Sequence, residues 1–206
     1  MPVTSADYLW IADWHNGLFL NGYCLTFVRG MVPGELLDDL GVGERSHFVG
    51  ASATVEPAYD AWSIHAERWL LVAVTQVDQW VLMFEANGSL GVTERVMLPV
   101  SAETSVVSHF RNVNAVDHFL WLEDGTICVR FEPLFPTIRT GTHADAIVPE
   151  LVDAGFDMRA DDVRTFENHT AATFALGERI TGVRVTPELL DGATFAGGLA
   201  PMPPTP

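Results

Sequence analysis

Arg111, Asn112, Asn114 and Glu132 are the residues whose types and spacing come closest to chemistry. They sit at the ends of three predicted strands, Ser105 to Arg111, Asp117 to Glu123 and Thr126 to Glu132. Asn112-Val113-Asn114-Ala115 joins the first pair and Asp124-Gly125 the second, the grammar of an antiparallel meander. In a meander the end of the first strand and the end of the third share one border, which puts Arg111 and Glu132 roughly 10 Å apart, two strand spacings. The Asn-Val-Asn turn hangs over the same rim. Arg130 and Arg139 are placed to approach it, and Arg29 joins the candidate binding set. Guanidinium, amide and carboxylate groups at one rim could hold a polar ligand. A plainer reading of the same residues has the asparagines supplying turn geometry while Arg111 satisfies loop carbonyls or closes on Glu132.

Other chemistries find less support. The chain has no lysine, and all 11 of its basic residues are arginines. That excludes a Schiff base, a P-loop and a kinase-type phosphate contact. None of the seven histidines, at 15, 47, 65, 109, 118, 143 and 169, pairs with another at HxH, HxxH or HxxxH spacing, so no metal is expected. No GxSxG elbow occurs, since Gly88-Ser89-Leu90-Gly91 has the wrong spacing. Gly41-Val42-Gly43 follows a helix and lacks a third glycine on schedule, so no dinucleotide fingerprint is present and no cofactor is expected. Asp38-Asp39 and Asp161-Asp162 diverge on a helix and read as solvated acids.

The 27 Asp and Glu give a formal charge of −16, spread along the chain rather than gathered in blocks. Such a field repels phosphate backbones, and the scattered arginines form no stripe, which argues against nucleic-acid binding. It favours association with a basic protein partner. Cys24 and Cys128 fall in different predicted strands with no CxxC, as small buried hydrophobes in a reducing compartment would. Residues 1–7 carry neither a basic region nor an apolar run, and Trp69 to Val74, the longest apolar stretch, is only strand-length. No signal peptide or membrane span is expected.

The positioning elements read as α+β, a mainly antiparallel sheet of five or six strands with helices packed on it, in one domain over residues 1–200. Residues 201–206 form a Pro-rich tail that is expected to fray. Thr4 and Ser5 open a short helix over about Ala6 to Trp14. Tyr23 to Arg29 alternates as a strand, with Tyr23, Leu25 and Phe27 on one side. Pro33 to Leu40 is a helix stopped by Gly41. Residues 42–65 read as a loop with one short strand near Phe48. Arg68 to Thr75 and Gln79 to Glu85 are apolar on both faces and belong in the middle of the sheet. Thr93 to Leu98 leans helical. Helices follow at Ala144 to Ala154, from Asn168 or Thr170 to Ile180, and after Thr186-Pro187-Glu188.

Several segments resemble an uncharacterised family of actinobacterial proteins, a domain of unknown function. They are Gly22-Tyr23-Cys24-Leu25-Thr26-Phe27-Val28-Arg29-Gly30, Arg111-Asn112-Val113-Asn114-Ala115, Phe131-Glu132-Pro133-Leu134-Phe135-Pro136, and Leu176 to Leu190 with Thr181-Gly182-Val183-Arg184 and Thr186-Pro187-Glu188-Leu189-Leu190. The resemblance implies an actinobacterial cytosolic protein of one domain and brings no activity with it. The leading expectation is a non-catalytic interaction protein, regulatory or of immunity or defence type. The alternative is a small-molecule or enzymatic site at the rim of Arg111, Asn112, Asn114 and Glu132. Self-association through an exposed sheet edge is the third.

Overall fold

Strict alternation along β1 (Gly22–Arg29) sends Tyr23, Leu25 and Phe27 to one apolar cluster and Val28 to a second. A strand exposes alternate residues on opposite faces, so two clusters require a layer on each side of the sheet. The computed structural model, which describes residues 2–65, 68–159, 163 and 165–203, shows that arrangement.

The remaining strands are β2 (Ser46–Val49), β3 (Trp69–Val77), β4 (Trp80–Ala86), β5 (Ser105–Asn112), β6 (Asp117–Glu123), β7 (Thr126–Phe131), β8 (Arg139–Thr140) and β9 (Thr194–Pro201). They form a single sheet of nine strands in the order β2-β9-β3-β4-β1-β5-β6-β7-β8. Every pairing is antiparallel. The α+β class is therefore observed, but the expected five or six strands are corrected to nine. The added strands are short or glycine-rich ones at or near the edges.

Among the described residues seven α-helices complete the layers: α1 (Leu18–Asn21), α2 (Pro33–Asp39), α3 (Val55–His65), α4 (Glu94–Val100), α5 (Val148–Ala154), α6 (His169–Thr181) and α7 (Pro187–Gly192). With the 3-10 turn Ser5–Ala12, helices α1, α3, α5, α6 and α7 feed Tyr8, Phe19, Ala58, Leu151, Phe174 and Leu190 into the first cluster. Helices α2 and α4 bring Leu36, Leu37, Met97 and Val100 to the second. Thr186 caps α7 as its sequence grammar predicts, its hydroxyl accepting from the Leu189 N–H at 3.2 Å.

Two segments depart from the sequence reading. Residues 42–65 hold β2, where a short strand was expected, but also α3, whose inner face is made of Ala58 and Ala61 and so carries no large apolar stripe. Residues 194–201, for which no strand was expected, form β9 between β2 and β3. Its Gly197 and Gly198 lie so close to the backbone carbonyls of Val72 and Glu44 that an added Cβ would stand 2.4 and 2.2 Å from them. The glycines that disguise the strand are what let it enter the sheet. Pro201 closes β9, and the Met202 N–H bonds to the Arg68 carbonyl at 2.8 Å. Residues 204–206 and Asp161-Asp162 lie outside the described residues. Cys24 and Cys128 are both buried and form no disulfide.

Candidate functional site

Parity along β5 decides the site. Arg111 lies opposite Tyr23 on β1 and Asp117 on β6, so its side chain points to the first face. Phe110 lies opposite Cys24 and His118 and belongs to the second face, and Asn112 shares that parity. The border therefore carries two different arrangements back to back.

On the first face is a buried ionic cluster. Asp117 is 0% exposed. Its Oδ2 accepts from an Arg111 guanidinium nitrogen at 2.8 Å and stands 3.0 Å from His169 Nε2. The His169 Nδ1–H donates to the Phe166 carbonyl at 2.9 Å. Its Nε2 accepts from Arg111 at 2.9 Å when the ring is neutral and donates to Asp117 when it is protonated. The Tyr23 hydroxyl and His109 Nδ1 share a hydrogen bond of 2.6 Å, and the other ring nitrogen of His109, Nε2, faces Asp117. That nitrogen stands 3.8 Å from Asp117 Oδ1, too far for a hydrogen bond, and both atoms lack a partner among the described residues.

Burial alone would raise the Asp117 carboxyl. The facing His109, His169 and Arg111 outweigh it and hold the group well below the usual carboxylate range. Burial lowers His109 against the pull of Asp117, and burial, reinforced by Asp117, raises the Tyr23 phenol. The cluster is closed over Tyr23 and His109, while Arg111 and His169 keep 12% and 17% of their side-chain surface exposed. It fixes α6 and the β5–β6 turn to the sheet.

On the second face the same border opens into a cleft of 480 Å³. Trp62 and Phe110 supply aromatic surface. Arg68 and Arg95 supply charge, and Asn87, Ser89, Asn112 and Asn114 supply amides and a hydroxyl. Among the described residues the lining contains no Asp or Glu, although acids outnumber arginines 27 to 11 along the chain. Arg111 contributes to the wall, while its guanidinium is committed to the opposite face. Arg95 donates to the Pro203 carbonyl at 2.6 Å, and Arg68 Nε to the His65 carbonyl at 3.3 Å. Both are bonds to neutral backbone carbonyls, and they order the two side chains.

The expected rim is thus gathered in part. Arg111, Asn112 and Asn114 line one cleft. Asn112 performs the turn role, its Oδ1 accepting from the N–H groups of Asn114 at 2.9 Å and Val116 at 3.0 Å. Glu132 follows β7 at the same border and lines a separate hollow of 400 Å³ beside Arg130, Arg139 and His118, while the Arg111 guanidinium pairs with Asp117. A one-residue difference in strand parity puts the two groups on opposite faces. Arg139 braces its own loop through the carbonyls of Ala144 and Pro136. Arg29 lies at the far end of β1, about 20 Å from the rim, donating to Gln79 Oε1 at 3.3 Å. Asp117 was legible as the residue that must oppose Arg111 across the turn. His169, Arg68 and Arg95 come from distant segments and leave no local signal. Among the described residues no group of three or more His, Cys, Asp or Glu could hold a metal ion. No described helix is long and apolar enough to cross a membrane.

Compared with known proteins, residues 1–205 match the model of a family of unknown function, DUF6461. No curated protein and no solved structure matches.

Proposed function

Because the chain belongs to the DUF6461 family, whose description assigns no activity, we propose a function from the site itself: the rim cleft binds a small anionic molecule. The observation that carries this is Arg68 in a lining free of carboxylates among the described residues, within a chain of net charge −16. Guanidinium groups bind carboxylate, sulfate and phosphate oxygens through charge-assisted bonds. The 480 Å³ volume suits a metabolite-sized ligand. Asn114 and Asn112 at the turn, with Ser89 opposite, supply orienting polar groups. This develops the small-molecule reading of the sequence with Glu132 removed from the site. The actinobacterial, cytosolic setting implied by the motif resemblance belongs to the same proposal.

The interaction reading has one observation in its favour. Tyr59, Trp62, Ile64 and Trp69 stand 42%, 41%, 72% and 40% exposed, and Trp62 also lines the cleft. Exposed aromatics beside a strongly acidic surface suit a basic partner.

Titration calorimetry with sulfate, inorganic phosphate and a tricarboxylate at low ionic strength tests the proposal. We expect saturable binding of at least one anion, weakened about tenfold or more by Arg68→Ala and by Arg95→Ala. Absence of binding up to about 10 mM, or binding indifferent to both substitutions, overturns it.

A further inference from the structure

Behind one wall of the cleft lies a carboxylate that the binding reading does not use. Glu85, near the end of β4, is fully buried. Its Oε2 accepts from the Leu90 N–H and its Oε1 from the Gly91 N–H, each at 2.9 Å. The chain between folds back over the carboxylate, and Asn87, Gly88 and Ser89 of that fold line the cleft. The approach is so close that a Cβ on Gly88 would stand 2.3 Å from Glu85 Oε2. Any other residue at position 88 would have to displace the carboxylate. An anion resting on Gly88 is therefore separated from Glu85 by a single backbone layer, about 7 Å at ordinary contact distances.

We propose that Glu85 is a positioning residue for this wall, and that capture of an anion in the cleft is coupled to uptake of a proton by Glu85. The inference rests on the anion-binding reading and adds its regulation. Two negative charges about 7 Å apart with little water between them repel appreciably, and the system relieves that repulsion by protonating the buried partner. The groups facing Glu85 are few. Burial raises it to about 7, opposed by the Gly91 and Leu90 amides and by the Cys24 thiol on β1. The cleft arginines, Arg68 and Arg95, lie beyond the loop. At neutral pH Glu85 is thus poised between its two forms, and an anion tips it to the neutral one. The neutral acid keeps lone pairs on both oxygens, so the Leu90 and Gly91 bonds persist in weaker form and the wall stays in place. By linkage, binding tightens as pH falls.

Sulfate is the probe, because its charge is constant through the window, whereas phosphate itself titrates there. For a rise of one pH unit in the Glu85 midpoint on binding, affinity should be about tenfold higher at pH 6 than at pH 9. Calorimetry at pH 7 in two buffers of different ionisation enthalpy should show uptake of about 0.4 proton per sulfate. Glu85→Gln should flatten the pH profile while retaining binding. His65, the titratable residue at the C-terminus of α3 next to the cleft, is separated by His65→Gln, which should leave the slope intact. That variant and the two-buffer measurement decide the matter even if Glu85→Gln does not fold. Sulfate binding with no proton uptake, or a slope lost in His65→Gln, overturns the coupling and leaves the cleft standing. No sulfate binding at any pH removes the cleft reading and the coupling together.

Discussion

Replacing Asp117 with Asn removes one charge without changing shape, and leaves the Arg111 guanidinium in place with its side chain only 12% exposed. Breaking a buried ion pair from one side costs about 3–5 kcal/mol, because the surviving charge is left uncompensated. The residual exposure of Arg111, and of His169 at 17%, lets some water in and puts the expectation near the lower figure, about 3 kcal/mol. For a chain of this length that lowers the melting temperature by about 6–12 °C. The pH dependence adds a second signature. Asp117 is held below its unfolded-state value, so its contribution is complete above about pH 4 and is lost as pH falls through the folded value. The variant should lack that part of the acid arm. Arg111→Met in the Asp117→Asn background should recover much of the loss, since the orphaned cation is gone. Urea unfolding from pH 3 to 8 measures all three effects. A single-variant loss below about 1 kcal/mol, or a double variant less stable than the single, would refute the view that this pair is dry and electrostatically tight.

Asn112 and Asn114 should separate cleanly. Asn112→Ala removes two side-chain acceptor bonds in the β5–β6 turn and should cost about 1–2 kcal/mol in denaturant melts. Asn114→Ala should leave the melt unchanged and weaken anion binding in calorimetry. Gly197→Ala would set a methyl 2.4 Å from the Val72 carbonyl and should cost at least about 3 kcal/mol, read as poor soluble yield or a depressed melting temperature. Glu85 titrates with the opposite sign to Asp117. Its folded value of about 7 lies above the unfolded one, so its contribution is full below about pH 4.5 and is lost as pH rises through 7. That amounts to about 3 kcal/mol, and urea midpoints at pH 5.5 and 8 in wild type and Glu85→Gln should expose the difference in slope.

What was legible in the sequence followed local periodicity. The meander of β5, β6 and β7 lies within a residue of its expected bounds, because alternation and turn residues agree there. The helix after Asn168 ends at Gly182, with φ +74, where a left-handed residue was needed. The failures have a common cause. β9 was hidden because Gly197 and Gly198 lower strand propensity for a tertiary reason, the nearness of two foreign carbonyls. α3 was hidden because it buries alanines and exposes Tyr59, Trp62 and Ile64, inverting the usual stripe. The site was half legible. Finding Arg111, Asn112 and Asn114 needed only the meander, but placing Glu132 needed the parity of every residue across two strand pairs, where one step reverses the face.

Arg111 ties the two faces of the border together. It is part of the cleft wall, while its guanidinium is held by Asp117 and His169 on the opposite face. The turn that carries Asn112 and Asn114 starts directly after it, so the buried cluster sets where those amides stand. The net charge works against capture of any anion, and the cleft opposes it only locally. At 0.1 M salt the field of the acidic exterior is screened over a Debye length of about 10 Å, so its repulsion is felt mainly within that distance of the surface. Within the cleft the lining holds Arg68 and no described carboxylate. A small anion fits wholly within the favourable region. A long polyanion must lay its remaining charges across the acidic exterior. Under the proposed anion-binding function, the two electrostatic features that look contradictory along the chain would act as one size filter, favouring compact anions over nucleic acids.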